Sequence, residues 1–385
     1  MRVYLDSAAS TRVDDRVISE MMPYFNEKFA VPSSQFSHSF GIETKDALDH
    51  SRGVFLQVLH GKFPEEIIFT SGGAEANNLA IIGTAFANRN KGKHLITTQV
   101  EHLSVLNSFK YLEKNGFEVT YLPVDYDGRI DIDFLKKALR KDTILVSVQY
   151  GNHETGTVQD IKTIAQIVKE NNSIFHTDAT IAWPYLSLNP YEEGIDLITI
   201  SPHKFYGPKG VGVLFVKKGV KINKILHGGF NEFNLRPGTE NIPSIVGAAK
   251  AVEIFDNSVV SHVLNLKERL VRGIEKNIKH VERNGSVEFS LPHIVNYTFD
   301  FVEGEAISLR LDFEGIGVIT GSACYSKNLQ ASYILMSMGR KHEQAHGSIR
   351  FSLSKYNTEE EIDYTIEKLK EVIKSLRDLS PLGKE

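Results

Sequence analysis

The sequence predicts an α/β protein: a large domain on a mostly parallel seven-stranded sheet, plus a smaller α+β domain. Three observations predict it. Between about residue 65 and residue 217, short apolar runs alternate with longer amphipathic segments, the pattern of βαβ units. The C-terminal third drops that alternation. At 385 residues the chain also exceeds what one hydrophobic core normally serves.

Taken in order, the expected strands are EIIFTS (66–71), KHLITT (93–98), EVTYLP (118–123), TILVSVQY (143–150), SIFHTDA (173–179), LITISP (197–202) and GVLFVKK (212–218). They are short and rich in β-branched and aromatic residues. Helical patterns such as IDFLKKALRK and IKTIAQIVKENN separate most of them. Further on, VLNLKERLVRGIEKNI (263–278) reads as an amphipathic helix, and VEFSLPHIVNYTFDF (287–301) and HGSIRFSLS (346–354) read as strands. The closing helix starts at Thr358 with Glu361 three residues later, a capping box, and carries Ile362, Ile366, Leu369, Ile373 and Leu376 on one face. The expected division is a large domain over 15–252 and a small one combining 1–14 with 253–385.

Composition narrows the function classes. A net charge of −4 with no basic stripe gives no reason to expect direct nucleic-acid binding. No apolar run approaches the roughly 18 residues of a membrane span. The start MRVYLDSAAS lacks the charged and apolar regions of a secretory signal. The one cysteine cannot form an intrachain disulfide, so a reduced, cytoplasmic location is the expectation, and no metal site is expected.

In open α/β sheets the ligand lies beyond the carboxyl ends of the strands, so residues there are the first candidates. SGGAEANNLAIIG (71–83) is a tight turn entering a helix, where N–H groups can face an anion and the glycines allow close approach. It is equally compatible with a plain turn. Asp178 ends the run SIFHTDA, where a carboxylate serves either as a helix cap or as partner to a protonated ring nitrogen. Lys204, in SPHKFYGPKG, follows the next run; lysines are usually solvated, but this one can reach a cleft. Phosphate turn, acid and amine in this order, the last two 26 residues apart, form the set that an electron-sink cofactor requires. Cys324, in TGSACYSKNLQ (320–330), reads as a thiol on a loop, since Gly321 and Ser322 precede it and Ser326, Lys327 and Asn328 follow. Cysteines as a class are more often buried and inert.

With these residues in view, the chain resembles the cysteine desulfurases of the NifS/IscS type, in the class V aminotransferase group of pyridoxal phosphate enzymes. The resemblance runs from YLDSAAST through FTSGGAEANNLAI, VEHLSV, HTDAT, SPHKFYGPKGVG, HGGFNEFNLRPGTENIPSIVG and GSAC to HGSIRFSLSKYNTEEEID and LRDLSPL. It implies an aspartate aminotransferase-like fold of type I, pyridoxal 5'-phosphate as cofactor and a homodimer. It implies further that Lys204 binds the cofactor aldehyde and Asp178 its ring nitrogen, while His102 stacks on the ring and moves protons. Gly73, Ala74, Ser201 and His203 correspond to the phosphate site, and Thr239 to a phosphate contact made from the other subunit. Arg350 corresponds to the arginine that grips the substrate carboxylate, a task suited to a planar fork of donors. Cys324 corresponds to the cysteine that takes sulfur from L-cysteine as a persulfide, for delivery to an iron–sulfur scaffold or a tRNA-thiolating enzyme.

The chain departs from the family's usual residues around that pocket. Ala74 replaces a threonine, Ile181 a glutamine that donates to the cofactor's ring oxygen, and His153 and Val31 two asparagines on the substrate side. Phe230 and Pro237 stand where glycine and serine are common. The alternatives to a desulfurase are a related pyridoxal phosphate lyase or transferase with another amino-acid substrate, and a non-catalytic paralogue acting through partner binding.

Overall fold

The computed structural model describes residues 1–321 and 331–379. A short strand, β1 (Val3–Tyr4), opens the chain. The central sheet follows, built from β2 (Ile67–Thr70), β3 (His94–Thr98), β4 (Glu118–Leu122), β5 (Thr143–Ser147), β6 (Ile174–Asp178), β7 (Leu197–Ile200) and β8 (Gly212–Val216). These are the seven runs expected from the sequence. Their order across the sheet is β2-β8-β7-β6-β5-β3-β4, and β8 alone runs antiparallel to both of its neighbours.

Successive strand residues point to opposite faces, and both faces are covered. Ile67, Phe69, Val146, Phe175, Ile198 and Phe215 pack into one core under helices Ser39–Val58, Ile161–Glu170 and Ile242–Glu253. Ile68, Leu95, Leu145, Leu197 and Leu214 pack into the other, under Leu103–Lys114 and a helical run over 73–87 that opens into a π turn at Leu79–Gly83. Burial of each such side chain is worth about 1.5–3 kcal/mol. The result is a three-layer α/β/α arrangement.

Its topology fixes where a ligand can sit. The chain moves outward from β3 to β4, returns to β5 on the other side of β3, and continues toward β2. The reversal between β3 and β5 opens a crevice at their carboxyl ends. Gly212 carries no Cβ because one would lie 2.3 Å from the Gly72 carbonyl carbon; this close approach seats the turn after β2 against the sheet.

The second sheet has the order β12-β10-β9, from β9 (Val281–Asn284), β10 (Ile294–Phe299) and β12 (Ser348–Ser352), while β11 (Ile316–Gly317) pairs in parallel with β1. Helices Asn257–Asn277 and Glu359–Leu379 cover it, and their apolar faces meet Val3, Leu5, Tyr297, Phe299 and Phe351 in a separate core. The capping box forms as expected: the Glu361 N–H donates to Thr358 Oγ1 and the Thr358 N–H to Glu361 Oε2, both at 3.2 Å. The expected strand over 287–301 is realised only from Ile294 onward. Pro292 lacks an N–H for the ladder, and Val287 and Phe289 stay exposed. In its place the edge strand β9 pairs with β10, a strand with little apolar content to announce it. Among the described residues no helix is long and apolar enough to cross a membrane.

Candidate active site

At the carboxyl ends of the parallel strands lies an open cleft of about 880 Å³. Gly73 and Ala74 line it after β2, His102 after β3, His153 after β5, Asp178 and Ile181 at the end of β6, and Ser201, His203 and Lys204 after β7. Arg350, on β12, closes it from the second sheet. Residues from five strand ends and a separate sheet thus meet in one cavity. Val31 does not line it; that residue is half-buried, ahead of the turn Pro32–Phe36. Thr239 does not either, and it is exposed. Cys324 lies outside the described residues.

Asp178 is fixed from two sides. Its Oδ2 accepts from Asn77 Nδ2 at 2.7 Å and its Oδ1 from the Thr180 N–H at 2.9 Å. Asn77 gives its other amide hydrogen to Ser104 Oγ at 2.9 Å, and that hydroxyl meets His102 Nδ1 at 2.8 Å. The Ser104 N–H also donates to His102 Nδ1 at 3.1 Å, because His102 caps helix Leu103–Lys114. With two donors on Nδ1, the proton of the neutral ring sits on Nε2. One network therefore orients the acid at the end of β6 and the imidazole after β3.

Lys204 Nζ donates to the carbonyls of Ala8 and Ala9 at 2.6 and 2.8 Å, so the N-terminal segment forms part of the site. Arg350 donates through Nη1 to the His153 carbonyl at 2.8 Å and through Nη2 to Asp6 Oδ1 at 2.5 Å, while its buried Nε has no hydrogen-bond partner among the described residues. The His102 and His153 rings meet edge to face at 5.1 Å. Both imidazoles are less basic than usual, chiefly because the surrounding protein disfavours their charged forms; Lys204 adds to the effect in each. His203 is pushed down to about 4 by burial and then by Lys204 and Lys209. The cleft thus holds neutral imidazoles beside an amine and a guanidinium, a setting for proton transfer and for anionic ligands.

Two buried carboxyls stand behind the cleft wall. Glu101 accepts from Thr98 Oγ1 and from the Gln149 N–H, both at 2.9 Å, and burial pushes it up to about 8. Glu154 is pushed up to about 7, again mainly by burial. Sequence reasoning passed over both, and also Asn77 and the Ala8 and Ala9 carbonyls. For Asn77 there was a signal: an amide on the sheet-facing side of a helix whose neighbours on that side, Ala76 and Ala80, are apolar. For backbone carbonyls there is none.

Comparison with known proteins agrees with this geometry. The aminotransferase class-V family model matches residues 3–365. A cysteine desulfurase IscS of Dictyoglomus turgidum is 47% identical, with 100% of this chain and 97% of the relative aligned. Cysteine desulfurase IscS 1 of Archaeoglobus fulgidus is 44% identical over 98% of this chain and 99% of its own. Among solved structures, a NifS-like protein superposes with a TM-score of 0.91 at 37% identity, covering 98% of this chain and 100% of its own. A structure described as SspA in complex with cysteine gives 0.83 at 33% identity, over 92% and 100%. With strand order, cleft and full-length similarity in agreement, the chain belongs to the class-V aminotransferase family, among its cysteine desulfurases.

Proposed function

We propose that this chain is a pyridoxal 5'-phosphate-dependent cysteine desulfurase that converts L-cysteine to L-alanine and keeps the sulfur on Cys324 as a persulfide. The observation that carries the reading is that Asp178 and Lys204 line one cleft together with a buried hydroxyl that lacks a partner among the described residues. Ser201 Oγ is buried and has no hydrogen-bond partner among the described residues, an arrangement that costs stability unless a ligand completes it. Beside it a Cβ on Gly73 would lie 3.0 Å from Thr180 Cγ2 and 3.3 Å from Ser201 Cβ, so a larger residue would crowd that cradle. Hydroxyl, cradle, amine and braced carboxylate together fit a phosphorylated aromatic aldehyde.

In this reading Lys204 would hold the cofactor's aldehyde, Asp178 would keep its ring nitrogen protonated, and His102 would serve at the ring. Gly73, Ala74, Ser201 and His203 surround the phosphate, with Thr239 completing the site of a second copy in a homodimer. Ile181, which lines the cleft, would offer the cofactor no donor. When bound, the cofactor supplies an electron sink for the pair left on the substrate Cα after proton loss. Lys204 takes and returns that proton. Arg350 binds the substrate carboxylate, with His153 and Val31 at the substrate side. The Cys324 thiolate attacks the substrate sulfur: an S–S bond forms, the Cβ–S bond breaks with its electron pair left on carbon, and a proton completes the methyl group of alanine. Thiol plus cysteine gives persulfide plus alanine, with no outside oxidant or reductant.

The same reading assigns 15–252 to a large cofactor-binding domain and 1–14 with 253–385 to a small one. The core of Val3, Leu5 and the residues from Val259 to Ile373, which takes only Tyr185 and Tyr206 from between, supports that division. Delivery to an iron–sulfur scaffold or a tRNA-thiolating enzyme in the cytoplasm completes it. The test is to add L-cysteine and a thiol to purified yellow protein and to measure alanine and sulfide. Equal amounts of both are expected, and Cys324→Ser should abolish sulfide while leaving the colour. A second reading, a lyase acting on another amino acid, draws on His153 and Ile181 in the cleft; yellow protein inert toward cysteine would favour it.

A further inference from the structure

Beside the main cleft lies a small second recess, which shares His102, His153, Ile319 and Arg350 with it. Its remaining wall includes Glu154, Gly321 and Tyr333. Gly321 immediately precedes, and Ser332 and Tyr333 closely follow, the stretch 322–330 that contains Cys324. Gly321 and Ser332, the described residues that flank it, meet the same short loop after β5.

Glu154 is the common contact. Its carboxyl presses against the Cα of Gly321 so closely that a Cβ there would fall 2.1 Å from Oε1. The hydroxyl of buried Ser332 favours the ionised form of the same carboxyl, and it also accepts the Leu335 N–H at 3.2 Å to cap helix Tyr333–Ser337. Next to it, Tyr333 donates its hydroxyl to the Glu101 carbonyl at 2.5 Å. Glu154 itself is held by its backbone, through its N–H to Asn152 Oδ1 at 2.9 Å. Its Oε1 is buried without a hydrogen-bond partner among the described residues. A buried, incompletely satisfied carboxyl costs stability, and the catalytic steps above do not use it.

We propose that Glu154 is a positioning residue for the sulfur-accepting thiol: one buried carboxyl that braces Gly321 and Ser332, the described residues on either side of the stretch that carries Cys324. The inference rests on Cys324 being the sulfur acceptor. Burial pushing Glu154 up to about 7, against the opposing pulls of Ser332 and Arg350, accords with a carboxyl kept where it is for its contacts.

The test uses the holoenzyme and exploits Cys324 being the only cysteine, so that maleimide alkylation reports on that thiol alone. Glu154→Ala and Gly321→Ala are each expected to lower kcat for alanine formation about tenfold or more, as misplacement of a reacting group by about 1 Å does. KM for cysteine and the cofactor absorbance should stay within about twofold, while the alkylation rate shifts by at least about threefold. Glu154→Gln, equal in size, should retain kcat within about threefold. The double variant Glu154→Ala with Gly321→Ala should lose no more than either single, since both act through one contact. A native kcat and alkylation rate in Glu154→Ala would overturn the proposal, as would Glu154→Gln as impaired as Glu154→Ala, or losses that multiply in the double variant. Should the native protein make no alanine from cysteine, the functional reading fails, and the alkylation rates alone still decide whether Glu154 sets the thiol's position.

Discussion

Asn77 and Asp178 are 101 residues apart in sequence and 2.7 Å apart in the cleft, and Asn77 reaches Asp178 Oδ2 with one hydrogen and Ser104 with the other. This amide couples the acid at the end of β6 to the imidazole after β3. Replacing Asn77 by Ala removes both bonds while leaving Thr180 on Asp178. A lost hydrogen bond to a charged group is worth about 1.5–3 kcal/mol, so kcat should fall between about tenfold and a hundredfold. Kinetics on protein of matched cofactor content would check this; a kcat within about twofold of native would mean that Thr180 alone suffices.

Ser201 offers a sharper signature. Its hydroxyl is buried without a partner among the described residues. Ser201→Ala should therefore leave the melting temperature of the cofactor-free protein unchanged or slightly raised, and should weaken cofactor binding by about tenfold. Paired melting curves with and without added cofactor, and a cofactor titration, measure both effects. A drop in cofactor-free stability without a change in affinity would make the hydroxyl structural.

Much of this was legible in the sequence, and the pattern of what was not is instructive. The seven sheet strands stood out because a buried parallel sheet demands continuous apolar runs. Asp178 and Lys204 stood out because each ends or follows such a run. Asn77 on Asp178, Asp6 on Arg350 and the Ala8 and Ala9 carbonyls on Lys204 are pairings made by the tertiary fold, and no local pattern encodes them. Thr239 and Val31 carry roles implied by resemblance, yet within one chain they stand outside the cleft. Glu101 and Glu154 read as ordinary surface acids until their burial is seen.

The loop that carries Thr239 depends on a buried ion pair. Arg52 makes two bonds to Glu232, through Nη1 at 2.9 Å and Nη2 at 2.7 Å, and Glu232 Oε2 also accepts the Phe69 N–H at 2.8 Å. Glu232 holds a left-handed backbone, as do Phe233 and Asn234 after it, with φ of 46°, 55° and 67°. Three such residues in succession are strained, and the ion pair holds the first of them in place. Arg52→Ala leaves a buried carboxylate unpaired and should cost about 3–5 kcal/mol in denaturant unfolding. Arg52→Ala with Glu232→Gln should recover part of that loss; a double variant no better than the single would show that packing, not charge, dominates here.

Glu101 sets a pH dependence. Burial raises its carboxyl from 4.5 to about 8, with Asp178 adding to the effect, against the bonds from the Gln149 N–H and the Thr98 hydroxyl. Glu154 shifts in the same direction, to about 7. Between about pH 4.5 and 8 the folded protein therefore binds more protons at these two groups than the unfolded chain does. Their contribution to stability is complete below pH 4.5 and is lost as the pH rises through 7 to 8. Glu101→Gln keeps an oxygen for the two donors and cannot ionise, so it should remove the larger part of this loss. Its stability relative to native should rise between pH 5 and pH 8.5, by on the order of 3 kcal/mol. Denaturant unfolding of cofactor-free protein at the two pH values measures the difference directly, free of cofactor linkage. A difference between variant and native that does not change with pH would mean that Glu101 is already ionised in the folded protein at the lower value.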